Sequence, residues 1–253
     1  MVFFLVLIFA LGAYAGEAQP SWLSGERLNY DIRWGFITAG EASLHTIAKP
    51  VTQKIEFKVL AHNNGFFEAI YPVRDTIISV VRPGDLVPEY FRKINHEGGW
   101  HNRSQVHFDW ENQLAVLGDT VFNSLNGPIK RHTDTTVVLD GAYYDIISAF
   151  YKVRSLPLEV GKVSFLEAIS GKKKYKMRIH CLRKEKIEVL AGKFDCIVVE
   201  PILDEDGLFQ AKGKLVIWFT DDDLRLPVLM KSKIALGSIR AEMKAWQQKS
   251  ISK

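Results

Sequence analysis

The chain has 253 residues, 47% of them hydrophobic and 25% charged, and a formal net charge of +4. That is enough chain to bury a substantial core, and it falls in the range of about 200 to 250 residues that one undivided all-β domain can occupy. Basic and acidic residues are interleaved except at Lys172-Lys173-Lys174, which excludes the basic stripe of a nucleic-acid-binding protein.

Val2 to Tyr14 is an uncharged apolar stretch ending in Ala13-Tyr14-Ala15, the small-x-small pattern of a signal-peptidase site. It is short for a membrane span, and no cysteine follows it to carry a lipid anchor. The reading is a signal peptide over residues 1–15, then a β-rich chain over 16–253, secreted to the periplasm and not lipid-anchored.

Leu28, Tyr30, Ile32 and Trp34 alternate with Arg27, Asn29, Asp31 and Arg33, the period of a half-buried strand that Gly35 ends. A second strand spans 36–47, where Ala39-Gly40-Glu41-Ala42 permits a bulge or a close backbone approach. Ile55, Phe57 and Val59 mark a third, and Phe66 to Tyr71 reads as one helical turn stopped by Pro72. Strands follow over 73–81, 87–94, 100–109 and 114–122, with Arg82-Pro83-Gly84-Asp85 and Glu111-Asn112 as turns. Residues 123–134 lack a period and read as a long loop or lid. The one long helix is expected over 141–155, capped by Asp140 and stopped before Pro157, with Ile146, Ala149, Phe150 and Val153 on one stripe.

Strands resume over 162–169 and 175–183, a short run over 187–190 precedes the Ala191-Gly192-Lys193 turn, and 194–201 continues. After a turn at Asp204-Glu205-Asp206-Gly207, Lys214 to Thr220 is an apolar central strand, and the strands around Val228 to Leu236 and Ile239 to Ala245 complete a meander. The fold class is therefore all-β: a curved antiparallel meander forming a half-barrel or open barrel, with one main helix packed on it and joining two sequential halves.

Cys181 and Cys196 both share phase with apolar neighbours. A simple hairpin about Gly192 sets Cys196 opposite a residue near Glu188, so two buried thiols are favoured over a bridge, which would need a bulge or another pairing.

The ordered phrases Gly25-Glu26-Arg27-Leu28-Asn29-Tyr30, Ala39-Gly40-Glu41-Ala42, Asp145-Ile146-Ile147-Ser148-Ala149-Phe150-Tyr151, Ala191-Gly192-Lys193-Phe194-Asp195, Ile217-Trp218-Phe219-Thr220-Asp221 and Leu226-Pro227-Val228 resemble the exported bacterial domain-of-unknown-function family 3108. The resemblance spans nearly the whole chain beyond residue 15. It implies a β-rich periplasmic protein similar to curved half-barrels that handle lipids or surface polymers, and it carries no established activity.

No catalytic residue is assigned, because no Gly-x-Ser-x-Gly elbow or other catalytic constellation occurs. No metal and no cofactor are assigned either. Asp221-Asp222-Asp223 reads as a turn at a strand end, and His96, His101 and His107 lack the remaining ligands of a closed zinc site. Aromatic residues at strand breaks and at the helix start, namely Phe66, Phe67, Tyr71, Trp100, Tyr143 and Tyr144, are the candidate ligand-binding residues, since such positions can line the mouth of a curved sheet. The reading is a non-enzymatic envelope protein that binds an apolar, lipid-like or glycan ligand, such as a lipid, glycolipid or polysaccharide, or a partner in a surface-polymer pathway. The alternative is a hydrolase or lyase acting on envelope polysaccharide.

Overall fold

The computed structural model describes residues 20–203, 215–234 and 237–248. The expected signal peptide and the turn at Asp204-Glu205-Asp206-Gly207 lie outside the described residues. A short 3-10 turn at Ser21–Ser24 leads into β1 (Glu26–Trp34), β2 (Ile37–Lys49), β3 (Lys54–Asn63), α1 (Gly65–Ile70), β4 (Arg74–Val81), β5 (Pro88–Glu97), β6 (Trp100–Asp109), β7 (Leu114–Phe122) and β8 (Ile129–Val138). Then come β9 (Tyr143–Tyr144), α2 (Ile146–Arg154), β10 (Val163–Ser170), β11 (Lys173–Val189), β12 (Gly192–Leu203), β13 (Leu215–Thr220), β14 (Pro227–Ile234) and β15 (Gly237–Gln248).

These strands make one 15-stranded sheet in the order β8-β7-β6-β5-β4-β3-β2-β1-β15-β14-β13-β12-β11-β10-β9. The chain lays down strands outward from β1 to β8, crosses to the far edge, and returns inward until β15 pairs with β1. Every pairing is antiparallel except β9 with β10. The sheet is not closed by hydrogen bonds, but side chains bridge its two margins: Tyr143 and Ile169 from the β9–β10 side pack with Phe108, Ala115 and Leu117 of β6 and β7. This gives an all-β, barrel-like shape.

Because neighbours alternate in direction, the connections fall on two borders. Those after β1, β3, β5, β7, β10 and β14 share one border, and those after β2, β4, β6, β11 and β13 share the other. Close approach within the sheet explains one conspicuous glycine: a Cβ at Gly40 would collide with the His62 carbonyl oxygen, and a register shift in β1 between Ile32 and Arg33 lies opposite.

Three expectations are corrected. Residues 123–134 are not a long loop or lid, because β8 begins at Ile129 and pairs along β7. Most of β8 is exposed, so no alternation of apolar residues marks it; β-branched Thr133, Thr135, Thr136, Val137 and Val138 hold an edge strand made of polar residues. The helix begins at Ile146 and not at 141, because Tyr143 and Tyr144 pair with Glu167 and Ala168 of β10. Residues 175–183 and 187–190 are one strand, β11, continuous through a bulge between Cys181 and Arg183.

Candidate ligand cavity

Asp145, not Asp140, caps α2. Its carboxylate accepts hydrogen bonds from the amides of Ile147 (2.8 Å) and Ser148 (3.0 Å) and from the Ser79 hydroxyl of β4 (2.6 Å). Burial pushes its pKa up from the usual carboxylate range, against the pull of those three donors. Asp140 instead accepts from Lys174 and Tyr143, and the Lys174 bond and then the Tyr143 bond hold its carboxyl down at about 2.

Further along α2, Tyr151 lies flat on Phe57 of β3, with ring centroids 3.7 Å apart and planes 6° apart. At the last turn, Arg154 forms a two-pronged pair with Glu26, at 2.6 and 2.7 Å, and also donates to the Leu224 carbonyl. The Arg154 guanidinium stacks 4.4 Å from the Trp22 ring. Ser79, Phe57, Glu26 and Leu224 all lie toward the second border, so α2 crosses that end of the barrel as a plug. Buried positions of α2 include Ser148, Ala149, Tyr151, Val153 and Arg154, a wider set than the single stripe expected, because sheet wraps the helix on several sides.

On the other side of α2 is a cavity of about 320 Å³. Its walls are Ile146, Ile147, Phe150 and Val153 of α2, Leu44 and Val59 of β2 and β3, and Met177, Leu203, Leu215, Ile217 and Met230 of the returning strands. Ser170 and Tyr175 also line it, and among the described residues its lining includes no carboxylate, histidine, lysine or arginine. The volume is at the small end of ligand sites, which run from about 300 to 1,000 Å³. Such walls can exclude water and take an apolar chain.

The six aromatic residues expected to bind ligand are divided between two places, and none of them is among the cavity's lining residues. Phe66, Tyr71 and Trp100 are exposed on the first border, with Phe67 partly covered beside Trp34 and Phe66. Tyr143 and Tyr144 are buried at the β9 margin, where the Tyr144 hydroxyl donates to the Asp85 carbonyl and the Lys174 ammonium lies over the Tyr143 ring. Sequence reasoning missed the cavity's lining because it is spread over eight elements, each supplying one to five ordinary core residues.

Of the three histidines, two meet. His96 and His101 face each other across the β5–β6 hairpin with their Nδ1 atoms 3.1 Å apart, and burial and then His101 lower the pKa of His96. The Gly98-Gly99 turn, read as a two-residue hairpin, would have placed 96 opposite 101. His107 instead sits opposite Tyr90. Among the described residues, no group of three or more His, Cys, Asp and Glu side chains is placed to hold a metal ion. Asp222 accepts from the Thr220 hydroxyl and from the amides of Leu224 and Arg225, while Asp221 pairs with Lys184 and Arg225, as in an ordinary turn.

Cys181 and Cys196 are both free and buried, and they belong to different core clusters. Cys196 pairs in register with Glu185, three residues from the expected Glu188, because the hairpin turns at Leu190-Ala191, between the paired Val189 and Gly192, and not about Gly192. Burial raises both thiols, Cys196 to about 12. Native thiol labelling should therefore be slow at both positions and become fast only in denaturant, and Cys196→Ala should cost on the order of 1 to 3 kcal/mol of stability in urea melts.

Fold and cavity together define a curled, barrel-like β protein that encloses an apolar space beside an internal helix. The chain belongs to the family described as "Protein of unknown function (DUF3108)", whose model matches residues 29–244. It is also similar in fold to the protein of the "Crystal Structure of Beta-barrel-like Protein of Domain of Unknown Function DUF1849 from Brucella abortus". The TM-score is 0.58 at 10% identity, over 89% of this chain and 98% of that one. No curated protein matches the chain.

Proposed function

We propose that this chain is an exported, periplasmic, non-enzymatic protein of the cell envelope that holds an apolar, lipid-like chain in the cavity beside α2. The observation that carries this reading is the lining: a concave space of about 320 Å³ whose walls are mostly aliphatic and aromatic, with Ser170 and Tyr175 as its polar side chains and no carboxylate, imidazole, ammonium or guanidinium among the described residues. Each methylene buried there contributes about 0.8 kcal/mol, so a modest acyl segment is held without covalent chemistry. Among the described residues that lining holds no carboxylate or imidazole, the groups that hydrolase chemistry most often uses, which favours the binding reading over a hydrolase or lyase in this space.

Protein recovered gently from the periplasm of its own host should carry a lipid-sized adduct in native mass spectrometry. Ala42→Phe fills the cavity from β2 and should remove the adduct while far-UV circular dichroism and the melting transition remain cooperative. A clean apo mass for the unmodified protein would sink the carrier reading, and an adduct that survives Ala42→Phe would mean it is held elsewhere.

A further inference from the structure

The first border of the sheet has an unusual distribution of polarity. Six connections start and end there: residues 34–37, 64–73, 98–99, 123–128, 171–172 and the link between Ile234 and Gly237. Their outermost side chains are large, apolar and in water: Phe36 is 94% exposed and Phe66 73%, with Ile37, Ile70, Tyr71 and Trp100 also exposed. They are tied into one surface. Trp34 touches Phe67 and approaches Gly237, Phe67 meets Phe66, and Tyr71 covers Gly98 beside the Trp100 hairpin. In the described part of these six tips the charged residues are Glu68, which is paired with Arg74, and Lys172.

Immediately behind the tips, within the four strand residues nearest this border, is a collar with an excess of cations: Arg33, Arg74, Arg103, Lys130, Arg131, Lys173, Lys174, Lys176, Lys231, Lys233 and Arg240, against Asp31, Asp75, Glu97, Asp119, Glu167 and Glu200, with Arg131 paired to Asp119 and Arg33 to Glu242. The opposite border is the reverse. Its turns carry Asp85, Glu111, Asp140, Asp221, Asp222 and Asp223 against Arg82 and Arg225. Aromatic tips nearly free of charge, backed by a collar with an excess of cations, on a molecule whose far border is acidic, match the layering of a bilayer: acyl boundary first, then anionic headgroups. Trp and Tyr, with an apolar body and a polar edge, suit that boundary.

We infer that the border formed by Trp34, Phe36, Phe66, Ile70 and Trp100 is a docking face for an anionic lipid bilayer surface. The tips enter the headgroup boundary, the cation collar meets the phosphates, and the acidic border points away. The inference stands on the surface alone, whatever occupies the cavity. It adds that the side of the barrel not plugged by α2 is the side that faces the membrane.

The test places an environment-sensitive nitrobenzoxadiazole dye on Phe36→Cys and, as a control on the opposite border, on Val51→Cys, whose native side chain is 97% exposed. The unmutated chain reports background labelling of the buried native thiols. On vesicles of phosphatidylethanolamine with phosphatidylglycerol, dye at position 36 should shift to the blue and brighten, while dye at 51 stays water-like. Pure phosphatidylcholine vesicles should give little change. Lys130→Gln and Lys233→Gln, both at exposed collar positions, should each weaken partitioning about fivefold in the Phe36→Cys background. All variants share the same N-terminal segment, so differences between them report the border. Water-like emission at position 36, an equal shift at 51, or equal binding to neutral vesicles would overturn the inference. So would a shift at 36 that grows with protein concentration in the absence of vesicles, since that marks a second copy as the occupant. If the dye at 36 reports bilayer contact while native mass spectrometry finds no lipid adduct, the docking face stands and the carrier reading falls.

Discussion

Arg154→Met is expected to lower the unfolding free energy by about 3–5 kcal/mol, because it leaves the Glu26 carboxylate buried without its counter-charge. The side chains of both partners are essentially inaccessible, at 0% and 1%. The guanidinium has no slack: both prongs go to Glu26, two donors reach the Leu224 carbonyl, and its face rests on Trp22. One residue thus fastens the end of α2 to the start of β1, to the 3-10 turn and to the β13–β14 connection. Methionine keeps much of the stem's packing, so the loss reports the charge and the hydrogen bonds more than a void. The double variant Glu26→Leu with Arg154→Met should recover most of the loss, since an apolar replacement of a whole buried pair is often near neutral. Urea denaturation of both singles and the double gives the coupling directly. A single-variant loss below about 1 kcal/mol would show that the pair is solvated in solution, as exposed pairs of that strength are.

The second large effect is expected at Phe57. Phe57→Ala removes one face of the stack on Tyr151, at a place where both rings are fully buried, and should cost about 3–5 kcal/mol. Phe57→Leu keeps most of the volume and should cost less than about 1.5 kcal/mol. The interest of the pair lies in its position. Tyr151 belongs to the helix whose neighbouring turn presents Phe150 to the cavity, so a loosened stack should also loosen the cavity wall. Hydrogen exchange of the α2 amides should rise in Phe57→Ala by more than the global loss explains. If α2 exchanges no faster than the sheet in that variant, the helix is held by Arg154 and Asp145 alone.

Much of this architecture is legible in the sequence where one face of a strand is buried and the other is wet. Leu28 and Tyr30 against Arg27 and Asp31, or Ile55 and Phe57 against Glu56 and Lys58, announce both the strand and its inner face. The signal fails where that asymmetry fails. β8 is exposed along most of its length, so its residues read as loop although the register with β7 is nearly unbroken. Tyr143 and Tyr144 sit next to a helix in sequence, and only tertiary pairing with β10 makes them a strand. The cavity is less legible still. Leu44, Met177, Ile217 and Met230 look like any other core residues, and what distinguishes them is that the fold makes them converge on one cavity. Conversely, Phe66 and Trp100 drew notice as aromatics at strand breaks, and the structure sets them on a border outside that space.

The position of β1 also bears on how the molecule must be assembled. This strand sits in the interior of the finished sheet, yet one of its neighbours follows it after a two-residue turn and the other is β15, which pairs Glu26 with Gln248. From β1 to β8 each new strand can zip onto the one before it, at small entropic cost for every loop closed. The join between β1 and β15 has no such shortcut, and it waits until nearly the whole chain is present. Until then β1 offers a bare row of backbone donors and acceptors to any extended segment nearby. Slow folding set by this last closure is expected, with a half-built sheet that is prone to pair with other copies of itself. A chain cut before Gly237 would remain in that state, with β1 and β14 left as permanent open edges.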